Sequence, residues 1–163
     1  MLTQEQFERC FSQLIGNEGG YSNNPQDPGG ETMWGVTKRV AEAYGYTGQM
    51  KRLPLVEAQR IAKAEYWDRF RCGEFPMPIA YQILDTAYNG GRPIVWLQQL
   101  FGLPETGEAS NGLLARAGAA NPWEVVAKFN SSRLRYLAAL RQPAFADGRM
   151  NRIATNLMLG GME

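Results

Sequence analysis

The sequence predicts a mainly α fold with a small loop or β-hairpin lobe after the first helix. Three observations carry that expectation. Apolar residues recur at helical spacing over most of the 163-residue chain. Helix-start signals precede several of these runs, and no sustained alternation of apolar and polar residues argues for a larger sheet. Glycine and proline crowd into the stretch between residues 19 and 35, where they break the helical pattern once and early.

Helix 1 is expected over about residues 4–17. Thr3 followed by Gln6 is a capping-box pattern, and Phe7, Cys10, Phe11, Leu14 and Ile15 form an i, i+3, i+4, i+7, i+8 stripe. Glu18 lies eleven positions after Phe7, so a helix continued at 100° per residue would turn it towards the same face. Gly19 and Gly20 then supply the helix stop. Asn24-Pro25 and Asp27-Pro28-Gly29-Gly30 are successive turn signals, consistent with a short β-hairpin or a tight irregular lobe.

A second helix starts near the N-cap Thr37 and ends around Tyr44-Gly45. The third follows Pro54, with Leu55, Ala58, Ala62, Tyr66 and Phe70 as its expected stripe. Cys72 to Pro78 is a break. Residues 79–89 place Ile79, Ala80, Ile83, Leu84 and Ala87 on one face and Tyr81, Asp85 and Asn89 on another, with Tyr88 nearby. Short helices are expected at 94–101 and 112–118. Asn121-Pro122 with Glu124 starts a longer helix to about Arg141, which carries apolar residues on two faces, and a last helix spans about 148–159.

Composition narrows the chemistry. Apolar residues make up 44% and charged residues 20%, the balance of a globular chain with one complete core. Lys and Arg total 17 against 16 Asp and Glu, with no basic stripe of the kind a nucleic-acid binder needs. The chain has no histidine, which removes Ser-His and Cys-His nucleophile pairs and histidine-ligated metals. No metal or cofactor is called for, and a hydrolase built from these residues works with carboxylates. Met1–Arg9 shows no basic-then-apolar leader, and no apolar run is long enough for a membrane span. Cys10 falls on an apolar face and reads as a buried thiol, with a Cys10–Cys72 bridge open to an exported protein.

Glu18 and Asp27 are the candidate carboxylate pair. Partial burial and the negative end of helix 1 would both raise the Glu18 pKa, which suits a general acid; an ordinary solvated glutamate at a helix end is the alternative. Thr32 brings a hydroxyl to the same loop. Tyr21 and Trp34 flank it, as sugar-stacking rings or as packing anchors. The ribbon of Tyr81, Asp85, Tyr88 and Asn89 is either solvated surface or, on a central helix, a cleft wall with hydrogen-bonding groups for substrate.

Glu18-Gly19-Gly20-Tyr21, Asn24-Pro25, Asp27, Gly29-Gly30, Thr32 and Gly35-Val36-Thr37 closely resemble the motif of glycoside hydrolase family 108. The resemblance continues through Glu57-Ala58, Tyr66-Trp67-Asp68, Asp85 to Gly90, Leu97-Gln98 and Asn151-Arg152. That family comprises phage and bacterial N-acetylmuramidases, some described as secretion activators. It implies a lysozyme-like helical fold and Glu18 as the catalytic acid. The nine-residue step from Glu18 to Asp27, and five more to Thr32, is similar to the Glu–Asp–Thr spacing of related phage lysozymes. Asp27 and Thr32 are then the catalytic partners, and Tyr21, Asn24, Trp34, Tyr81, Asp85, Tyr88 and Asn89 the substrate-binding residues.

The implied activity is hydrolysis of the β-1,4 MurNAc–GlcNAc bond of peptidoglycan glycan strands, without cofactor, nucleic acid or membrane insertion. The implied chain is made in the cytoplasm and acts in the periplasm or cell wall, exported through a holin or a secretion apparatus. Residues 1–90 form the expected catalytic region. Residues 91–163 form a helical half resembling a peptidoglycan-binding module, packed with the first as one globular unit. There the sequence departs from the family, reading Thr106-Gly107-Glu108 at an Asp-Gly turn and Gly148-Arg149 where Gly-Trp is favoured. The alternative function is a non-catalytic peptidoglycan-binding or secretion-accessory protein on the same scaffold.

Overall fold

The computed structural model describes residues 1–16, 20–23, 29–141 and 146–159. It divides into two compact units, Thr3–Arg69 and Phe70–Glu163, the latter joined by Met1–Leu2.

In the Thr3–Arg69 unit, α1 spans Gln4–Ile15 and begins with the expected box. The Gln6 amide donates to Thr3 Oγ1 at 3.2 Å, and the Thr3 amide donates to Gln6 Oε1 at 2.8 Å. Phe7, Cys10, Phe11 and Leu14 are buried along the predicted stripe. The helix is shorter than the expected 4–17. Gly16 leaves it with φ 58°, a left-handed value that costs glycine little, so the helical projection that turned Glu18 towards Phe7 stops at Ile15.

The lobe that follows is a hairpin of β1 (Thr32–Met33) and β2 (Val36–Thr37), with Thr32 opposite Thr37 and Met33 opposite Val36. Its two-residue turn, Trp34-Gly35, has φ of 55° and 77°. Positive φ at both central residues is the type I′ geometry, whose twist matches that of the paired strands. Ser22 adds an antiparallel bridge to Thr32.

Helix α2 (Lys38–Ala43) starts on Thr37, whose hydroxyl accepts from the Val40 amide. After a 3₁₀ turn at Met50–Arg52, α3 (Leu55–Ala62) runs on as a π-helical turn, Lys63–Asp68. That turn changes the expected stripe. Ala58, Ile61 and Ala62 are buried, but the next fully buried position is Trp67, five residues on, while Leu55 is exposed. A π turn accommodates one extra residue, so the inward direction passes from Tyr66 to Trp67. The Trp67 ring meets Phe7 edge-on at 5.3 Å.

In the Phe70–Glu163 unit, α4 (Met77–Tyr88) is buried at every residue from Ile79 to Thr86. It packs against α5 (Pro93–Leu100) and α7 (Pro122–Ala139), while α6 (Asn111–Ala119) and α8 (Ala146–Leu159) pack on α7. The expected two-faced burial of α7 gives way to one stripe of Val125, Val126, Phe129, Asn130 and Arg133, with Trp123 half exposed. The polar loop before α6 is tied down by Gln98, whose amide nitrogen donates to Thr106 Oγ1 and the Glu108 carbonyl and whose oxygen accepts from the Gly107 amide. Cys10 and Cys72 are both buried free thiols rather than a bridge. Among the described residues no helix is long and apolar enough to cross a membrane.

Candidate functional site

Thr32 is the candidate catalytic residue that the structure describes. Its backbone is held by two bonds to Ser22: its amide donates to the Ser22 carbonyl at 2.8 Å and its carbonyl accepts from the Ser22 amide at 3.0 Å, while across the hairpin it faces Thr37 in register. Its side chain is half-buried. Glu18, Asp27 and Asn24 lie outside the described residues.

Tyr21 and Trp34 lie on the same lobe and are both committed to it. The Trp34 indole N–H donates to the Leu53 carbonyl at 2.9 Å, tying the type I′ turn to the chain just after Met50–Arg52. Of the two readings of Trp34, this bond supplies the anchor. The Tyr21 hydroxyl donates to Glu31 Oε1 at 2.9 Å, and the Lys51 ammonium stands 5.0 Å from its ring centroid. Desolvation first, and then the Glu31 carboxylate, raise the Tyr21 pKa above that of an ordinary phenol. One face of the ring is therefore occupied by a cation and its hydroxyl by a carboxylate.

Glu31 and Lys51 are contributors that sequence reading did not single out. Glu31 links Tyr21 to Lys38, whose ammonium is 3.5 Å from its other oxygen. Together with the segment 47–51, these residues surround an open groove of about 500 Å³. Its floor includes Met50, which is buried. The signal available for Glu31 was its place inside the motif; nothing in the local pattern marked Lys51.

Tyr81, Asp85, Tyr88 and Asn89 belong to the Phe70–Glu163 unit. Asp85 is completely buried. Its carboxylate accepts from Arg133 Nη1 at 2.5 Å, Arg152 Nη1 at 2.7 Å and Asn156 Nδ2 at 2.8 Å. Asn130 and Asn156 both donate to Gln82 Oε1, extending the polar cluster across α4, α7 and α8. The helix is central, as one reading of the ribbon required, but Asp85 exposes no atom to a ligand.

Asn89 is the C-cap of α4, and its side-chain nitrogen donates to the Asp85 carbonyl at 2.7 Å. Gly90 (φ 83°) donates to Ala87 and Gly91 to Thr86, the paired bonds of a Schellman motif. The run from Asp85 to Gly90 thus has a complete local explanation as a helix end. Tyr81 is buried, Tyr88 half-buried and Asn89 exposed. Sequence reading missed Arg133 and Asn130, although both fall on the Val126–Phe129 stripe, where a polar side chain signals a buried partner.

No curated protein matches the chain. A solved structure of Brucella abortus SagA superposes with a TM-score of 0.87, covering 97% of this chain and 95% of that one at 24% identity. At that identity the likeness is one of fold, and the lysozyme-like, mainly helical architecture expected from the sequence is the one observed. Residues 11–91 match the profile described as Glycosyl hydrolase 108. They include Thr32, the hairpin and α4 as well as the Glu18–Asp27 stretch, and through them the chain belongs to the glycosyl hydrolase 108 family.

Proposed function

We propose that the chain is an N-acetylmuramidase that cleaves the β-1,4 bond between N-acetylmuramic acid and N-acetylglucosamine in peptidoglycan, with Glu18 as the general acid. The observation that carries this reading is the Glu18…Asp27…Thr32 spacing inside a region matching a glycosyl hydrolase family. Glycoside hydrolysis needs one carboxylic acid to protonate the leaving oxygen and a second group across the sugar that directs water or stabilises an oxocarbenium-like transition state. Glu18 takes the first role and Asp27, with the Thr32 hydroxyl, the second. The doubly held backbone of Thr32 supports that assignment, because a hydroxyl that positions water needs a rigid mount. The chain acts in the periplasm or cell wall, reaching it through a holin or a secretion apparatus.

The test compares wild type with Glu18→Gln, which keeps the shape and removes the proton. Purified sacculi are digested and the products identified by mass spectrometry. Wild type should release muropeptides with N-acetylmuramic acid at the reducing end, and the variant essentially none while keeping its circular dichroism spectrum. Near-wild-type release by the variant would remove Glu18 from the mechanism. Binding to sacculi without release by either protein would favour the non-catalytic alternative.

A further inference from the structure

We propose that the groove of the Thr3–Arg69 unit binds the acidic peptide carried by peptidoglycan glycan strands, with Lys51 pairing a peptide carboxylate. The proposal takes its choice of ligand from the muramidase reading.

The argument starts from charge. Of the groove's charged residues, Glu31 already accepts from the Tyr21 hydroxyl and faces Lys38 at 3.5 Å. Lys51 pairs with no carboxylate among the described residues; its ammonium stands over the Tyr21 ring instead. A ring face holds a lysine by its quadrupole without using its three N–H donors, so the ammonium stays available to an anion. With Lys38 and Lys51 against Glu31, the described residues of the groove carry one excess positive charge.

The backbone of the same wall is the second observation. Between the paired amides of Tyr46 and Arg52, those of Thr47, Gly48 and Gln49 and of the following Met50 and Lys51 donate to no acceptor among the described residues. Backbone donors on this wall can serve a peptide carbonyl or carboxylate, the groups that a stem peptide adds to the glycan. This wall is also built to keep its shape. The Tyr46 hydroxyl donates to the Gln49 carbonyl at 3.0 Å, and its ring crosses Gly48 so closely that a Cβ there would meet Tyr46 Oη at 2.5 Å. A groove of about 500 Å³ is of the size that takes a small ligand rather than a single ion.

The experiment is a titration of the full ¹⁵N-labelled chain with the synthetic tetrapeptide N-acetyl-L-Ala–γ-D-Glu–L-Lys–D-Ala, acylated at its N-terminus as on the glycan strand, and with the same peptide amidated at its free carboxylates. The expected result is amide shifts concentrated at Thr47–Lys51 and Tyr21. Lys51→Gln should weaken binding at least about fivefold, Lys51→Arg should stay within about twofold of wild type, and the amidated peptide should lose affinity for wild type but not further for Lys51→Gln. No shifts at the groove, or equal binding by wild type and Lys51→Gln, would overturn the proposal. Lysis of sacculi without groove shifts would reject this inference alone, whereas peptide binding by a chain that releases no muropeptides would reject the muramidase reading alone.

Discussion

Replacing Asp85 by alanine should be one of the most damaging single changes in the Phe70–Glu163 unit. The carboxylate is 0% exposed and its nearer partner, the Arg133 side chain, only 5% exposed, whereas the Arg152 side chain is 38% exposed. Asp85→Ala leaves the Arg133 guanidinium buried without a counter-charge, a situation that costs about 3–5 kcal/mol. For a chain of this length that corresponds to a fall of about 6–20 °C in the midpoint of thermal unfolding. Arg152→Gln should cost about 1 kcal/mol or less, because the lost partner is one that water already reaches. The double change Asp85→Leu with Arg133→Met removes the orphaned charge with the carboxylate and should be more stable than Asp85→Ala. Urea unfolding followed by circular dichroism measures all three, with tryptophan fluorescence as a second probe. A loss below about 1.5 kcal/mol for Asp85→Ala, or an equal loss for Arg152→Gln, would refute the idea that burial of Arg133 sets the cost. Below its transition, the folded Asp85→Ala protein should lyse sacculi at the wild-type rate, since Asp85 exposes no atom.

Burial pushes the Cys10 thiol up from 9.0 to about 11. The native state therefore holds this proton more tightly than the unfolded chain, so stability falls as pH rises from 9 towards 11, and Cys10→Ala should flatten the unfolding midpoint over that window. At pH 8 the native protein should react slowly with a disulfide reagent, both thiols titrating only on denaturation. Gly91→Ala should cost more than a surface change, because the new Cβ would meet the Thr86 side chain beneath the α4 cap; hydrogen exchange at the α4 C-terminus would show it, and unchanged protection would contradict the Schellman assignment. Trp34→Phe keeps an aromatic ring, smaller than the indole, but leaves the Leu53 carbonyl without its donor, with an expected loss of about 1–2 kcal/mol by urea titration. A loss within error would mean that water replaces the indole at no cost.

Much of the helical order was legible because it is local. The Thr3–Gln6 box, the Thr37 cap, and Asn121 with Pro122 all start helices where they were expected, since a cap satisfies backbone donors within three or four residues. The α1 stripe held for the same reason. What failed depended on neighbours. Tyr66 and Trp67 are adjacent in sequence, and only the π turn after Ala62 decides which faces Phe7. The two-faced reading of α7 counted apolar residues but could not see that Asn130 and Arg133 belong to the buried stripe, where Gln82 and Asp85 meet them.

Within the candidate site the division is similar. The motif itself, from Glu18 to Thr37, is a property of residue order and spacing, and with the absence of histidine it pointed to a glycosyl hydrolase and to carboxylate chemistry. The sequence also determined a mainly helical fold with one early lobe, because caps, stripes and turn residues act over a few positions. Only the tertiary structure decided that Trp34 is tied to Leu53, that Lys51 stands over Tyr21, and that Asp85 is enclosed by two arginines. Each of these pairs residues 19 to 67 positions apart, so each depends on how the helices and turns between them pack rather than on any local preference.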